Sequence, residues 1–272
     1  MTSLPPATIG RMDNPGSGSA RSSAGDPVRT LELLWRVPAE ARSGRGPKQR
    51  TSVDAVVAAA VGIADTQGLS AVTIRAVAGV LGLAPMAIYT YVPGKAELLD
   101  LMLDSVYGQM SRGDLSGLPW RHRVTAIADE NRALLDEHPW VTQLATTRPP
   151  LGPGTAAKYD HELRAFDGLG LSDLDMDSAL TYVLGFVTSV ARIADDAREA
   201  RRDSGVSDQA WWDRAGPLLA EVFDDEKFPL AARIGAAAGQ AFGSAYDADH
   251  AYRFGLARVL DGLEPVINRT AR

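Results

Sequence analysis

Polar groups suited to binding another molecule cluster around one very short predicted helix at residues 86–91. Tyr89 and Tyr91 lie on this helix, and Lys95 follows it closely. A helix of barely two turns is not stable alone, so it must be held on a scaffold. Two tyrosines and a lysine in such a place favour an exposed surface over core packing. The pattern therefore predicts a binding element whose outer face is free to enter a groove.

The stretch 72–95 is typical of two short helices joined by a tight turn. Thr73 is a suitable N-cap for the first helix. Gly82 follows that helix where its end favours a left-handed residue, and Pro85 suits the first position of the second helix. Pro93 ends the segment, because the residue before a proline resists helix. This is the pattern of a helix-turn-helix, whose second helix lies in the DNA major groove.

Residues 51–110 resemble the DNA-binding domain of the tetracycline-repressor family of transcriptional regulators. The resemblance rests on the order and spacing of short motifs after an apolar first helix that ends near Gly68. These motifs are T-x-R-x-V-A at residues 73–78, L-G-L at 81–83, I-Y-x-Y-V at 88–92 and G-K-A-E-L-L at 94–99. A helical hairpin in an unrelated all-α protein is the alternative, but it leaves the two tyrosines and the lysine unexplained.

The resemblance, together with a basic segment before the first helix, indicates which residues contact DNA. The positions that match base-contacting sites in the family are Pro85, Met86, Ala87, Thr90 and Tyr91. Thr90 can bond a base edge, and Met86 and Ala87 can contact a thymine methyl group. Thr73 and Lys95 stand at helix starts, where backbone N–H groups also attract phosphates. The full predicted set is Lys48, Gln49, Arg50, Thr73, Arg75, Pro85, Met86, Ala87, Tyr89, Thr90, Tyr91 and Lys95.

Tyr89 and Arg75 are assigned by their side-chain chemistry as well as by the resemblance. Tyr89 is expected to pack its ring on the head and to direct its hydroxyl at a phosphate. Arg75 matches a family position that reaches a guanine edge, and a phosphate contact is the equal alternative. The predicted helix 86–91 contains no Asn, Gln or Arg. We therefore expect apolar contacts and DNA shape to carry much of the specificity.

Positive charge is concentrated just before the helix-turn-helix, although the whole chain has a formal net charge of −6. Residues 1–51 contain eight Lys and Arg against four Asp and Glu, whereas residues 52–110 contain two against five. Phosphate neutralisation supplies much of the affinity of proteins for DNA. Residues 42–50 are therefore predicted to be a basic arm along the phosphate backbone or in the minor groove, with a solvated linker as the alternative.

The first 48 residues are predicted to be a disordered extension, because Gly, Ser, Pro and Ala dominate residues 1–28. Residues 29–37 differ, since their apolar side chains, including Leu34 and Trp35, can form one or two amphipathic turns. So short a segment persists only when it docks on something. The protein's own surface and a partner are both open as the docking site.

Composition limits the classes of protein to which the chain can belong. The 272 residues are 45% hydrophobic and include no cysteine, which predicts a globular protein without disulfides. No membrane span or signal-peptide core is apparent, so a cytoplasmic location is expected. The four histidines lack ligand spacing, and neither a metal nor a cofactor is expected. No nucleophile elbow, P-loop or dinucleotide fingerprint occurs, which argues against an enzyme.

The predicted fold is all-α, with a helix-turn-helix head at residues 49–110 and a larger helical body at 111–272. A fourth helix at 95–110 belongs to the head, and in the family this helix connects the head to the body and transmits ligand binding. Body helices are expected at residues 120–137, 155–169, 172–202, 209–223 and 248–267, whereas residues 230–243 are ambiguous.

Short motifs in the body resemble the C-terminal domain of a tetracycline-repressor-like branch that is common in actinomycetes. They are H-P-W at residues 138–140, R-P-P-L-G-P at 148–153 and D-G-L-G-L-S at 167–172. The resemblance implies a homodimer through a four-helix bundle, made by the helices at 172–202 and 248–268 of each subunit. These two helices also contain more apolar residues than a single body can cover. They are therefore expected to pair with the same helices of a second subunit.

The resemblance further implies a small-molecule pocket inside the body. Its candidate residues are Met102, Trp140, Leu144, Tyr159, Met176, Tyr182 and Phe186, for each of which plain core packing is the alternative. The expected function is a transcriptional repressor that a small, largely apolar ligand releases from a palindromic DNA operator. An activator, or a DNA-binding regulator controlled by a protein partner, is the alternative function.

Overall fold

The computed structural model describes residues 23, 25–36, 51–144, 148–244 and 246–270, and within these ranges all regular structure is helical. The all-α prediction is confirmed. The helices of the N-terminal part are α1 (Pro27–Leu34), α2 (Val53–Gln67), α3 (Ile74–Leu81), α4 (Pro85–Ile88) and α5 (Lys95–Gln109). The helices of the body are α6 (Trp120–Glu137), α7 (Pro153–Leu163), α8 (Asp173–Ser204), α9 (Asp208–Val222), α10 (Pro229–Phe242) and α11 (Ala248–Thr270).

Local capping groups define the ends of α2 and α3. Ser52 is the cap of α2, and its side chain accepts a hydrogen bond from Ala55 N at 3.1 Å. Thr73 caps α3 as predicted, accepting from Ala76 N at 3.1 Å. Gly82 is left-handed, with a φ of 64°, and ends α3 with the paired backbone bonds of a Schellman motif.

Helix α5 is buried on nearly every side, which its sequence pattern did not predict. The periodicity assigns one apolar stripe to it, yet Glu97, Asp100 and Asp104 are buried together with that stripe. The cause is tertiary, because α1, α2 and α7 all pack against α5. The helix that links the head to the body is therefore held by both.

The closest approach between α5 and the body occurs at the start of α7. Asp104 of α5 accepts hydrogen bonds from Gly154 N at 3.2 Å and from Thr155 N at 2.7 Å, so it caps the free N–H groups of α7. A side chain on Gly154 would overlap the backbone of Asp104 and Gly108. Glycine is therefore required where these two helices cross.

One helix of the body differs clearly from its predicted bounds, and the stretch that the sequence left ambiguous is helical. The helix expected at 155–169 is α7, which ends at Leu163 and is followed by turns that include the left-handed Gly168. The ambiguous residues 230–243 form α10. In the described chain α9 and α10 have no buried residue, because they do not pack closely on the rest of the body.

Helices α6, α8 and α11 form the centre of the body. The hydroxyl of Tyr252 on α11 donates to Asp129 of α6 at 2.6 Å. Arg121 of α6 pairs with Glu264 of α11 at 2.7 Å, near the other end of the contact. Among the described helices, none has the length and hydrophobicity needed to cross a membrane.

Gly154→Ala is expected to destabilise the protein, because a Cβ at this position forces α5 and α7 apart. Overpacking of this kind costs about 1–3 kcal/mol. Gly62→Ala, in an open position of α2, is the control and is expected to stabilise by about 0.5–1 kcal/mol. Chemical denaturation at one protein concentration measures both values. Equal free energies of unfolding for the two variants would contradict the close crossing.

Candidate nucleic-acid interface and body sites

Helix α4 presents an exposed surface on a firmly anchored base. Ile88 is fully buried and fixes the helix on the head, whereas Pro85, Met86 and Thr90 are exposed. Met86 has 75% of its surface exposed, an unusually high value for a large apolar residue. This arrangement leaves apolar and hydroxyl groups free to meet base edges in a groove.

The α-helical part of the second helix is shorter than predicted. It ends at Ile88, and residues 89–91 continue it as a turn in which Thr90 N bonds Ala87 O at 3.2 Å. Tyr91 N likewise bonds Ile88 O at 2.9 Å, so these residues bond three positions back, and Pro93, which has no N–H, cannot continue the helix beyond Val92. Tyr89 is 44% exposed, while Tyr91 and Ala87 are half-buried against the head. Tyr89 is thus the more accessible of the two hydroxyls.

The predicted phosphate contacts lie beside α4. Thr73, Arg75 and Lys95 are all exposed, and Lys95 is the first residue of α5. Lys48, Gln49 and Arg50, with the whole basic arm at 42–50, lie outside the described residues. Nine of the twelve residues predicted to contact DNA therefore lie around α3 and α4 and at the adjoining start of α5.

A polar contact joins the head directly to the body. Asp65, near the end of α2, accepts from Trp140 Nε1 at 2.7 Å and lies 2.8 Å from His138 Nδ1. Trp140 is almost fully buried in the short 3₁₀ segment Pro139–Gln143. Its indole N–H is therefore satisfied by a head residue, so Trp140 has a structural role beside any role in a pocket.

A buried ionic cluster ties α6 to α7 beneath α5. Lys158 Nζ and Asn131 Nδ2 both donate to Glu162 Oε1, at 2.6 and 2.5 Å. Burial lowers the pKa of Lys158, although Glu162 opposes the shift. The Lys158 ammonium also lies 5.1 Å from the ring centroid of Tyr107 on α5. Burial raises the pKa of the Tyr107 hydroxyl well above its usual range.

The predicted pocket residues occupy different environments. Met102, Trp140 and Leu144 are buried, and Met176 and Phe186 are half-buried. Tyr159 and Tyr182 are exposed to 45% and 55%, and the Tyr159 hydroxyl donates to Asp177 at 2.8 Å. The two tyrosines therefore lie on the surface of the single chain, apart from the buried members of the set.

A cavity of about 790 Å³ lies between α6, α8 and the residues that connect α10 to α11. Arg132 and Tyr252 line it, with the guanidinium carbon of Arg132 4.5 Å from the Tyr252 ring centroid. The volume is suitable for a drug-sized molecule. The seven predicted pocket residues are not among those that line this cavity.

Comparison with known proteins identifies the family. Residues 115–267 match the family described as tetracyclin repressor-like, C-terminal domain. The HTH-type transcriptional repressor DrrR1 of Streptomyces coeruleorubidus is 40% identical over 260 residues, which cover 94% of this chain and 93% of that repressor. The chain belongs to the tetracycline-repressor (TetR) family. The prediction of a DNA-binding transcriptional regulator of this family is confirmed.

Solved TetR-family structures share the fold of this chain. ActR from Streptomyces coelicolor, determined without ligand, has a TM-score of 0.65 and 22% identity, covering 82% of this chain and 99% of ActR. ActR in complex with actinorhodin has a TM-score of 0.63 and 25% identity, covering 78% of this chain and 95% of ActR. The all-α architecture is therefore that of other TetR-family proteins.

Several residues of this TetR-family chain have roles that pattern analysis missed. Asp65, Asp104 and Glu162 are acidic residues within helices, and the sequence gives no sign that their partners lie 31 to 75 residues away. The one local signal is the spacing of Lys158 and Glu162, four residues apart on α7. That spacing is equally common on solvated helix faces.

Glu162→Gln is expected to lower the free energy of unfolding by about 3–5 kcal/mol, because it leaves Lys158 buried without its carboxylate. Asp160→Asn removes an exposed pair with Arg164 at the same spacing on the same helix and is expected to cost at most about 1 kcal/mol. The double variant Lys158→Met/Glu162→Leu should recover part of the loss. Urea unfolding at fixed protein concentration measures all three, and a small effect of Glu162→Gln would argue against a buried charge.

Proposed function

We propose that the chain is a homodimeric repressor that binds a palindromic operator and leaves it when a small molecule enters the body. The observation that carries the proposal is the exposed α4 surface, held on a head whose connecting helix α5 is embedded in a large body. DNA binding alone does not require such a body. The repressor name of its relative DrrR1, at 40% identity, supports the same function.

The proposed DNA contacts follow from chemistry and exposure. Met86 and Ala87 contact thymine methyl groups, and Thr90 hydrogen-bonds a base edge. Thr73, Tyr89 and Lys95 bind phosphates and set the register of the head on the duplex. Arg75 binds a guanine edge or a phosphate, and Pro85 and Tyr91 shape the contact surface. The basic arm at 42–50, including Lys48, Gln49 and Arg50, adds phosphate contacts.

Dimerisation is proposed through α8 and α11. Both helices expose apolar side chains on the single chain, including Leu174 and Ile193 of α8 and Phe254 of α11. A two-fold pairing buries these side chains and repeats the head at a fixed distance, which matches the symmetry of a palindromic operator. In this proposal the head ends near residue 110 and the body comprises residues 111–272.

The effector is proposed to act through α5. A small, largely apolar molecule that binds between α5 and the body, beside the buried pocket candidates Met102, Trp140 and Leu144, favours a position of α5 in which the two heads no longer match the half-sites. ActR, which binds actinorhodin, gives a precedent for a small ligand within this fold. A useful switch needs a difference of about 3 kcal/mol between the two states. The proposal includes no catalytic activity and places the protein with its DNA in the cytoplasm.

Lys95→Ala is expected to weaken operator binding about equally for all sequences and to reduce the salt slope by about one, because it removes one phosphate contact. Lys227→Ala, in the exposed turn between α9 and α10, is the matched control and should leave both values unchanged. Fluorescence anisotropy on the operator selected by the wild-type protein, at several salt concentrations, measures the effect. An unchanged slope for Lys95→Ala would exclude this contact.

Met86→Ala is expected to relax the base preference at one position of each half-site, at a cost of about 1–3 kcal/mol on the best sequence. Selection from a randomised DNA pool compares this variant with the wild-type protein and with Val80→Ala, which changes an exposed apolar residue on α3. Identical consensus sequences for all three would contradict base reading by α4. Wild-type binding without any sequence preference would overturn the proposed function itself.

A further inference from the structure

Helix α1 is docked at the junction of the head, the connecting helix and the body. It begins at Pro27, two residues before the amphipathic segment predicted at 29–37, and Asp26 caps its first turn. Thr30 and Leu34 are buried, whereas Val28 is 66% exposed on the outer side. The sequence left open whether this segment docks on the protein's own surface or on a partner. In the structure α1 docks on the protein's own surface.

The inner side of α1 contacts α5 through both polar and apolar groups. Ser23 N donates to Asp100 Oδ1 at 2.7 Å, and Asp26 N donates to Glu97 Oε1 at 3.3 Å. Thr30 and Leu34 pack over the same segment of α5. The segment before the head thus covers two carboxylates of α5 and donates one backbone hydrogen bond to each of them.

The end of α1 reaches both the head and the body. Arg36 forms an ion pair with Asp54 in the first turn of α2. Trp35 Nε1 donates to the carbonyl oxygen of Leu151, just before α7, at 2.7 Å. One short segment therefore contacts α5, the first turn of α2 and the residues just before α7.

We propose that α1 is an intramolecular clamp that holds α5 against the head and the body and so pre-organises the head for operator binding. The proposal rests on the proposed function, in which the position of α5 decides whether the heads match DNA. With α1 docked, the angle between head and body is restricted before DNA arrives, so less conformational freedom is lost on binding. An effector that moves α5 must also break the contacts of α1.

Asp100 limits the strength of this clamp. Its side chain is completely buried, and Oδ2 has no hydrogen-bond partner in the described part of the chain. Burial raises the pKa of this carboxyl, with the nearby Glu97 adding to the shift. Asp100→Asn keeps an oxygen that can accept from Ser23 N and removes the buried charge. This variant is therefore expected to dock α1 more tightly than the wild-type chain does.

Hydrogen exchange of the full-length protein tests the docking. Leu34→Ala should speed exchange of the α5 amides at residues 97–104 by roughly tenfold, because α5 loses one of its three covering helices. Val28→Ala makes a similar truncation on the exposed side of α1 and should leave this exchange unchanged. Trp35→Phe removes the N–H donor to Leu151 O together with part of a ring that is 59% exposed, and it should have a smaller effect than Leu34→Ala.

Operator affinity tests the functional part of the clamp. On operator DNA selected by the wild-type protein, Leu34→Ala should bind roughly tenfold more weakly, while Asp100→Asn should bind at least as tightly as wild type. Faster exchange in α1 and α5 with unchanged operator affinity would overturn the proposal. Failure of the wild-type chain to select any operator would instead overturn the proposed function, and the exchange result would still stand.

A reversible crosslink gives a second test that does not depend on truncating the core. The chain has no cysteine, so Gly25→Cys with Glu97→Cys introduces the only two thiols. A Cβ on Gly25 would lie 3.2 Å from Cγ of Glu97. The sulfur of a cysteine at position 97 would take the place of this Cγ atom in the same rotamer, so the pair is a suitable site for an engineered disulfide. The oxidised form should bind the operator more tightly than the reduced form of the same protein. Equal affinities of the two forms would contradict the clamp.

Discussion

The burial of α5 on nearly all sides is the constraint on which the rest of the structure depends. This helix is the covalent link between head and body, and it packs against α1, α2 and α7. Three of its acidic residues are buried, so each needs a partner from another element. Asp104 finds the N-terminus of α7, while Glu97 and Asp100 face the segment before the head. A shift of α5 therefore changes contacts with the segment before the head, with the head and with the body.

The junction between head and body is polar as well as close-packed. Asp65 accepts from the indole of Trp140, and Asp104 caps α7 at a crossing that only glycine permits. Directional hydrogen bonds have a narrow range of geometry, so they favour discrete positions of the head over continuous bending. Discrete positions are what a switch between DNA-bound and released states requires.

The head could be predicted almost completely from local sequence. A cap at Thr73, a left-handed glycine at position 82 and a proline at position 85 act within a few residues of themselves, and the structure shows each in that role. The length of the second helix was overestimated, because residues 89–91 form a turn that bonds three positions back instead of an α-helical turn. The residues of the ligand pocket were harder to predict, because apolar residues at helical spacing can line either a packed core or a cavity.

Short-range sequence patterns are enough to predict most of the helices, most of their ends and the exposed groups around α4, because these features depend on neighbours within one or two turns. The tertiary structure alone decided that α1 docks on α5 and that Asp100 is buried. It also decided that Lys158 and Glu162 form an interior pair instead of a solvated one. The physical reason is that burial depends on which helices cover a residue. That coverage is set by contacts between residues far apart in the chain, which local periodicity does not record.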